Sequence, residues 1–235
     1  MIGIMSDAHG NLNAFNRGLS ILEDMGANSF VFLGDAVGYF PGDKVVQQLS
    51  SAGSRFVCVR GNHDEMLIER SWPKGAEPVY QLEKTAKLSD SSTEAVLKSW
   101  LEFYRLTTKS GDALFVHGGP RDPTNQYVYL NTPLEEIETD ARFVFMGHTH
   151  RPFVRQTVNT LFVNVGSCGL PRDHGTLGSV CLFDPTEGTA NIIRYDISDI
   201  MSNALQSGDL HADVSKLFTR QPKSYYGNFY RGKVK

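Results

Sequence analysis

Apolar residues in the first two-thirds of the chain gather in short runs, and between the runs they recur every three or four positions. The run MIGIM (1–5) is followed by an amphipathic stretch from 11 to about 25. FVFLG (30–34) is followed by helical spacing over 44–51, and RFVCVR (55–60) repeats the arrangement. ALFV (113–116) and RFVFM (142–146) come later. Alternation of β-rich runs with helix-spaced stretches predicts a mainly parallel, buried sheet covered by helices. Between 72 and 110 the chain is more polar, and Val96, Leu97, Leu101 and Tyr104 at helical spacing predict one or two helices outside the sheet. After His150, the runs LFVNV (161–165), SVCLF (179–183) and NIIRY (191–195) are separated by turns too short for crossover helices, so antiparallel pairing is expected there. The fold class is α/β, with one domain over 1–210 and a distinct tail over 211–235.

The tail is locally basic, with Lys216, Arg220, Lys223, Arg231, Lys233 and Lys235 against Asp213 alone, and it interleaves Phe218, Tyr225, Tyr226, Phe229 and Tyr230. A nucleic-acid-binding arm has this composition. So many aromatics are unusual in a solvated arm, however, and favour a tail packed by its rings or partly disordered.

The length of 235 residues and 40% hydrophobic content suffice for one large core. Lys and Arg number 23 against 26 Asp and Glu, and the resulting net charge of −3 argues against a stable nucleic-acid partner. No apolar run approaches the roughly 18 residues of a membrane span, and the opening lacks a signal-peptide pattern, so a cytoplasmic protein is expected. The three cysteines, Cys58, Cys168 and Cys181, are odd in number and form no C-x-x-C pair. That argues against a disulfide framework or a thiolate zinc site. Cys58 alternates with strand residues and is expected in the core.

The histidines carry the chemical signal. Of seven, five fall in Asp7-Ala8-His9, Gly61-Asn62-His63-Asp64, His117-Gly118-Gly119 and Gly147-His148-Thr149-His150, each directly after an expected strand. Gly34-Asp35 ends another. Carboxyl ends of parallel strands share one crevice, so these segments should converge. Asp7, His9, Asp35, Asn62, His117, His148 and His150 make a hard, mixed nitrogen and oxygen ligand shell suited to Mn²⁺ or Fe, and also to Zn²⁺ or Co²⁺. Seven candidates exceed what one ion uses, whereas two divalent ions sharing a carboxylate use them all. Such a site is built for an oxyanion.

Segments D-x-H, G-D, G-N-H-D, H and G-H-x-H in this order resemble the calcineurin-like metallophosphoesterase superfamily, and the wording around them is similar to its small stand-alone bacterial and archaeal branch. The resemblance spans residues 1 to about 183. It implies a layered β-sandwich flanked by helices, with the antiparallel C-terminal strands in its second sheet. It implies one metal held by Asp7, His9, Asp35 and His150, and a second held by Asp35, Asn62, His117 and His148. It places His63 outside the ligand set as a catalytic residue facing the leaving group. Attack by a metal-bridging hydroxide on a small phosphodiester or dinucleoside polyphosphate is the implied reaction, with a phosphomonoester or phosphoprotein substrate as the alternative. A small-molecule phosphoester or nucleotide is thus the expected partner. Arg121 and Arg172 are candidates for gripping a phosphate, or for pairing structurally with Asp122 and Asp173. His174 is a further candidate contact, and Tyr39, Tyr127 and Tyr129 offer stacking surfaces for a base. The protein phosphatases of the superfamily carry an acidic or amide residue and then Arg where this chain has Gly38 and Tyr39, and Glu where it has Asp64. His63 therefore needs some other acceptor to fix its tautomer. A non-catalytic scaffold of the retromer kind would have eroded ligands, whereas here every position is filled.

Overall fold

A computed structural model describes residues 1–208 and 210–232, so Lys233 and Lys235 of the basic tail lie outside the described residues. In chain order the elements are β1 (Ile2–Met5), α1 (Leu12–Asp24), β2 (Ser29–Phe32), α2 (Lys44–Ser51), β3 (Phe56–Cys58), α3 (Asn62–Glu69), α4 (Glu77–Tyr80), α5 (Leu82–Leu88) and α6 (Thr93–Ser99). They continue with β4 (Tyr104–Thr108), β5 (Gly111–Phe115), β6 (Phe143–Met146), β7 (Phe153–Gln156), β8 (Leu161–Asn164), β9 (Leu177–Asp184), β10 (Thr189–Asp196), α7 (Ser198–Ser207), α8 (Ala212–Phe218) and β11 (Asn228–Phe229).

Two mixed sheets form, ordered β11-β10-β9-β1-β2-β3 and β4-β5-β6-β8-β7. Strand periodicity divides the apolar residues between layers. Ile2, Ile4, Val31 and Leu33 of the first sheet meet Phe115, Phe143, Phe145 and Val163 of the second in one core between the sheets. Met5, Phe30 and Phe32 point the other way, into a larger core shared with Phe15, Ile21 and Leu22 of α1 and with Leu49, Leu67 and Leu97 of α2, α3 and α6. On the outer face of the second sheet, Val144 and Met146 pack with Val128 and Ile137.

The alternation alone predicts one mainly parallel sheet, whereas the chain forms two layered sheets flanked by helices, the sandwich that the family resemblance implies. Strands β1, β2 and β3 pair in parallel in the first, and β5, β6 and β8 in the second. A strand buried on both faces reads the same whether a helix or a second sheet covers it, so periodicity could not divide them. The C-terminal strands are also placed differently. β9 and β10 are antiparallel, as expected, but β9 joins β1 in the first sheet. β8 runs parallel to β6 and antiparallel to the unanticipated β7. Over 72–110 three helices form rather than one or two, and only Val96 and Leu97 of the helical pattern lie in α6. Leu101 bridges to Val59, and Tyr104 opens β4 of a hairpin with β5. In the tail, α8 buries Val214 and Phe218 in the helix-side core, and β11 pairs with β10. Among the described residues no helix is long and apolar enough to cross a membrane.

Candidate metal centre

The turns leaving β1, β2, β3, β5 and β6 carry the candidate ligands, and hydrogen bonds tie the turns to one another. The N–H groups of Asp7 and His9 donate to the carbonyls of Gly34 (3.0 Å) and Asp35 (2.9 Å), and Gly147 donates to His117 (2.9 Å). Asp64 accepts from the backbone N–H of Asp35 (2.8 Å), Ala36 (2.9 Å) and Gly61 (3.0 Å), clamping the G-D turn onto the start of α3. A Cβ at Gly61 would run into Asp35, so glycine is required for this approach. Ser167 donates to the Asp7 carbonyl (2.7 Å) and Asn164 to that of Gly147 (2.7 Å), which draws the segment after β8 under the centre.

Two groups of ligand atoms result. Asp7, His9, Asp35 and His150 form one, and Asp35, His117 and His148 the other, each with its ligand atoms within 4.8 Å of one another. In the first, His9 Nδ1 lies 3.0 Å from the Val37 carbonyl and His150 Nδ1 2.6 Å from that of Leu170. A carbonyl only accepts, so each Nδ1 carries the proton and each Nε2 presents a lone pair. These Nε2 atoms are 3.1 Å apart. They stand 3.8 and 3.2 Å from Asp7 Oδ1, and His9 Nε2 is 3.5 Å from Asp35 Oδ2. Four acceptors face each other, and the buried Asp7 Oδ1 has no hydrogen-bond partner. A cation at their centre suits this donor set.

In the second group His117 donates Nδ1–H to the Leu33 carbonyl (2.8 Å). Its Nε2 lies 3.4 Å from Asp35 Oδ2, 3.2 Å from Asn62 Oδ1 and 3.1 Å from His148 Nδ1. One proton on Nε2 serves three acceptors poorly, whereas a cation serves all. Asp35 Oδ2 thus faces both groups, while its Oδ1 accepts the His63 N–H (2.8 Å).

Burial works against ionisation of Asp7 and Asp35, but the facing histidines, chiefly His150 and His117 respectively, outweigh it and hold both carboxyls below their usual range. Burial likewise opposes protonation of His117, yet the Asp35 carboxylate overcomes it and raises the imidazole to about 9. Burial keeps His9 and His150 low, and takes His63 to about 4 and His148 to about 3. Burial and then the Asp35 charge push Asp64 up to about 7, against the pull of the Gly61 N–H.

His63 lies beside the ligands, with its ring centroid 4.9 Å from that of His9. Its Nδ1 is buried without a hydrogen-bond partner, so the expected replacement acceptor is absent among the described residues. The ring is held by packing instead, 5.0 Å from Tyr39 and 4.5 Å from Tyr80. A Cβ at residue 38 would stand 2.6 Å from Nδ1, so Gly38 makes room for the imidazole. Tyr39 also stands edge-on to His9 (4.7 Å).

Arg172 reaches this wall, donating from Nη2 to the Tyr39 hydroxyl (2.9 Å). Asp173 pairs with Arg194, not Arg172. Arg121 is exposed, and its guanidinium donates to the Glu135 carbonyl, while Asp122 caps the N–H groups of Thr124 and Asn125; the two do not pair. His174 packs against Tyr225 (5.9 Å) and its Nδ1 lies 3.4 Å from the Thr176 hydroxyl, and it belongs to neither ligand group. Tyr127 is half-exposed and lies over His148 at 3.9 Å, with Tyr129 nearly parallel to it at 6.2 Å. The sequence reading missed Tyr80 and the clamping role of Asp64. Tyr80 follows a polar stretch with no motif to mark it, and Asp64 was visible only as the last letter of G-N-H-D.

Comparison with known proteins agrees with this geometry. A profile of the calcineurin-like phosphoesterase superfamily domain matches residues 1–188. An uncharacterised protein of Methanocaldococcus jannaschii is 27% identical over 222 residues, 84% of this chain and 88% of that one. A metallophosphoesterase from Sphaerobacter thermophilus superposes with a TM-score of 0.73 at 25% identity, covering 93% of this chain and 98% of its own. A hypothetical protein from Pyrococcus horikoshii gives a TM-score of 0.78 at 18% identity, covering 95% and 100% of the two chains.

Proposed function

The chain belongs to the calcineurin-like phosphoesterase superfamily, and we propose that it hydrolyses a small phosphodiester or dinucleoside polyphosphate with two divalent ions, Mn²⁺ or Fe. The observation that carries this reading is the pair of ligand groups that share Asp35. Asp7, His9, Asp35 and His150 would hold one ion, and Asp35, Asn62, His117 and His148 the other. When bound, the ions supply Lewis acidity toward the phosphoryl oxygens and acidify a water for attack on phosphorus.

The protein's own groups supply orientation and proton handling. Carbonyls of Val37, Leu33 and Leu170 hold the imidazoles of His9, His117 and His150 with Nε2 inward. His63, which burial keeps neutral in the free protein, would take up a proton beside the bound phosphate anion and pass it to the departing oxygen from a ring packed between Tyr39 and Tyr80. Arg172 has no carboxylate partner among the described residues and presents its fork beside Tyr39, where it can bind non-bridging phosphate oxygens. Tyr127 and Tyr129 add exposed ring surface next to His148, which favours a substrate with a planar group.

Metal analysis of the Mn²⁺-loaded protein, with a screen of phosphodiesters, dinucleoside polyphosphates and phosphomonoesters, tests the reading. Two ions per chain and diester turnover abolished by chelation are expected. Full activity in the metal-free protein, or turnover confined to phosphomonoesters, would refute it.

A further inference from the structure

Arg194 is the one arginine whose side chain is fully buried among those in ion pairs within the described residues, and all five of its N–H donors are used. Nη1 and Nη2 grip the two oxygens of Asp173 at 2.6 and 3.0 Å. Nε donates to the Gly178 carbonyl (3.3 Å), Nη2 to Leu177 (2.8 Å) and Nη1 to Tyr226 in the tail (3.1 Å). A buried guanidinium is costly unless satisfied in this way, and a satisfied one fixes every group it touches.

What it fixes is the residue next to Arg172. The Arg172 N–H donates to the carbonyl of His150 (3.2 Å), so the same short loop touches the metal centre. From the opposite side Arg220 Nη1 donates to the Arg172 carbonyl (3.1 Å), and the Arg220 carbonyl accepts from Gly175 N–H (2.8 Å). Gly175 lies so close to α8 that a Cβ would collide with the Leu217 carbonyl and, at 2.6 Å, with Phe218 Cα. The loop is thus pinned between the centre and the C-terminal segment. Both Arg194 and Arg220 lie beyond residue 188, where the superfamily match ends.

We infer that the segment from β10 to the tail is a clamp that holds Arg172 in phosphate-binding position, with Arg194 and Arg220 as positioning residues. The inference rests on the reading of Arg172 as a phosphate contact. Without the clamp, Arg172 keeps its charge but loses its fixed fork, and a bidentate contact depends on that fork. Substrate affinity should therefore fall while metal content and the chemical step persist.

The test uses full-length, Mn²⁺-loaded protein with bis(4-nitrophenyl) phosphate as substrate and inorganic phosphate as competitive inhibitor. Arg172→Ala should raise KM and the phosphate inhibition constant roughly tenfold. Arg220→Ala, an exposed site, should raise both by about two- to fivefold, with kcat and metal content nearly unchanged, and should add nothing in the Arg172→Ala background. Arg194→Lys should exceed Arg220→Ala; if it fails to fold, Arg220→Ala decides. An effect of Arg172→Ala with none from Arg220→Ala would overturn the clamp and leave the phosphate reading intact. No effect from Arg172→Ala would overturn both. An Arg220→Ala effect that persists undiminished without Arg172 would show a merely structural tail.

Discussion

Loading the metal-free protein with divalent ions should expel close to one proton per chain from His117 at pH 8, in addition to any proton given up by a metal-bound water. Its Nδ1–H is committed to the Leu33 carbonyl, so Nε2 is the atom that faces Asp35, Asn62 and His148. The Asp35 carboxylate raises this imidazole to about 9. It is then roughly nine-tenths protonated at pH 8 and about half protonated at pH 9, and it must deprotonate to ligate. Asp64, pushed up to about 7, is already mostly ionised at pH 8 and adds little. Titration calorimetry in buffers of different ionisation enthalpy counts the released protons, of which His117 supplies about one at pH 8 and about half at pH 9, a share that His117→Ala removes. Apparent metal affinity should rise about tenfold per pH unit up to pH 9 and then flatten.

The same shift governs the stability of the metal-free form. A folded-state pKa above the unfolded 6.5 stabilises the fold fully below about pH 6.5, and this contribution is lost as pH rises through about 9. At ~1.36 kcal/mol per decade of proton activity, the pair with Asp35 contributes about 3 kcal/mol, counted once for both partners. Denaturant midpoints of the metal-free protein should fall between pH 7 and 9. Metal affinity that is flat over this range, with no proton release, would refute the assignment of His117 as an imidazolium paired with Asp35.

Asp35→Asn should lower metal content and activity more than Asn62→Ala, because its Oδ2 faces both ligand groups; equal metal content in the two variants, by elemental analysis, would count against a shared carboxylate. His63→Ala should keep both ions and lose roughly 10²- to 10⁴-fold in kcat for alkyl or nucleoside leaving groups, but much less for nitrophenolate. An equal loss for both would point to an electrostatic role, and loss of metal would make His63 a ligand. Tyr127→Ala should reduce kcat/KM for nucleotide substrates by about ten- to a hundredfold, given roughly 1–3 kcal/mol for a stacked base, and barely affect methyl phosphodiesters. The same loss for both would remove the stacking role.

Motifs made the centre legible because strand ends bring distant segments together, and all seven ligand-type residues do converge. The division of strands between two sheets was not legible, since Phe143, Phe145, Ile2 and Ile4 read as a doubly buried strand under any cover. Partnering of arginines was also hidden. Asp173 sits beside Arg172 in sequence, yet its carboxylate turns to Arg194, twenty-one residues on, because a strand pairing sets that contact. The orientation of His63 was hidden for the same kind of reason. Its wall includes Tyr80 from α4, and nothing local to G-N-H-D specifies which helix will pack there.

Backbone conformation explains why those residue types suit the centre beyond their ligand atoms. Asp7, His9, Asp35, His148 and His150 all have positive φ, between 49° and 63°, as does Tyr39 at 62°. Each left-handed non-glycine residue costs about 1–2 kcal/mol, and six together rival the roughly 5–15 kcal/mol of net stability of a whole domain. Asp and His tolerate this region better than most residues, so the side chains that can ligate are also those whose backbone can turn sharply at a strand end. Tyr39 lacks that tolerance. Its N–H is held by the Tyr80 carbonyl (2.7 Å) and its own carbonyl by Gln81 (3.0 Å), with Arg172 on the hydroxyl. Strain of this kind persists only where surrounding contacts over-determine it. Here the contacts are the three N–H bonds of Asp64, the Ser167 and Asn164 bonds under the centre, and the wall around Tyr39. Among the described residues, five of the eight non-glycine residues with positive φ are ligand-type residues and a sixth is Tyr39 beside them, so most of this conformational cost falls where the ligand atoms converge.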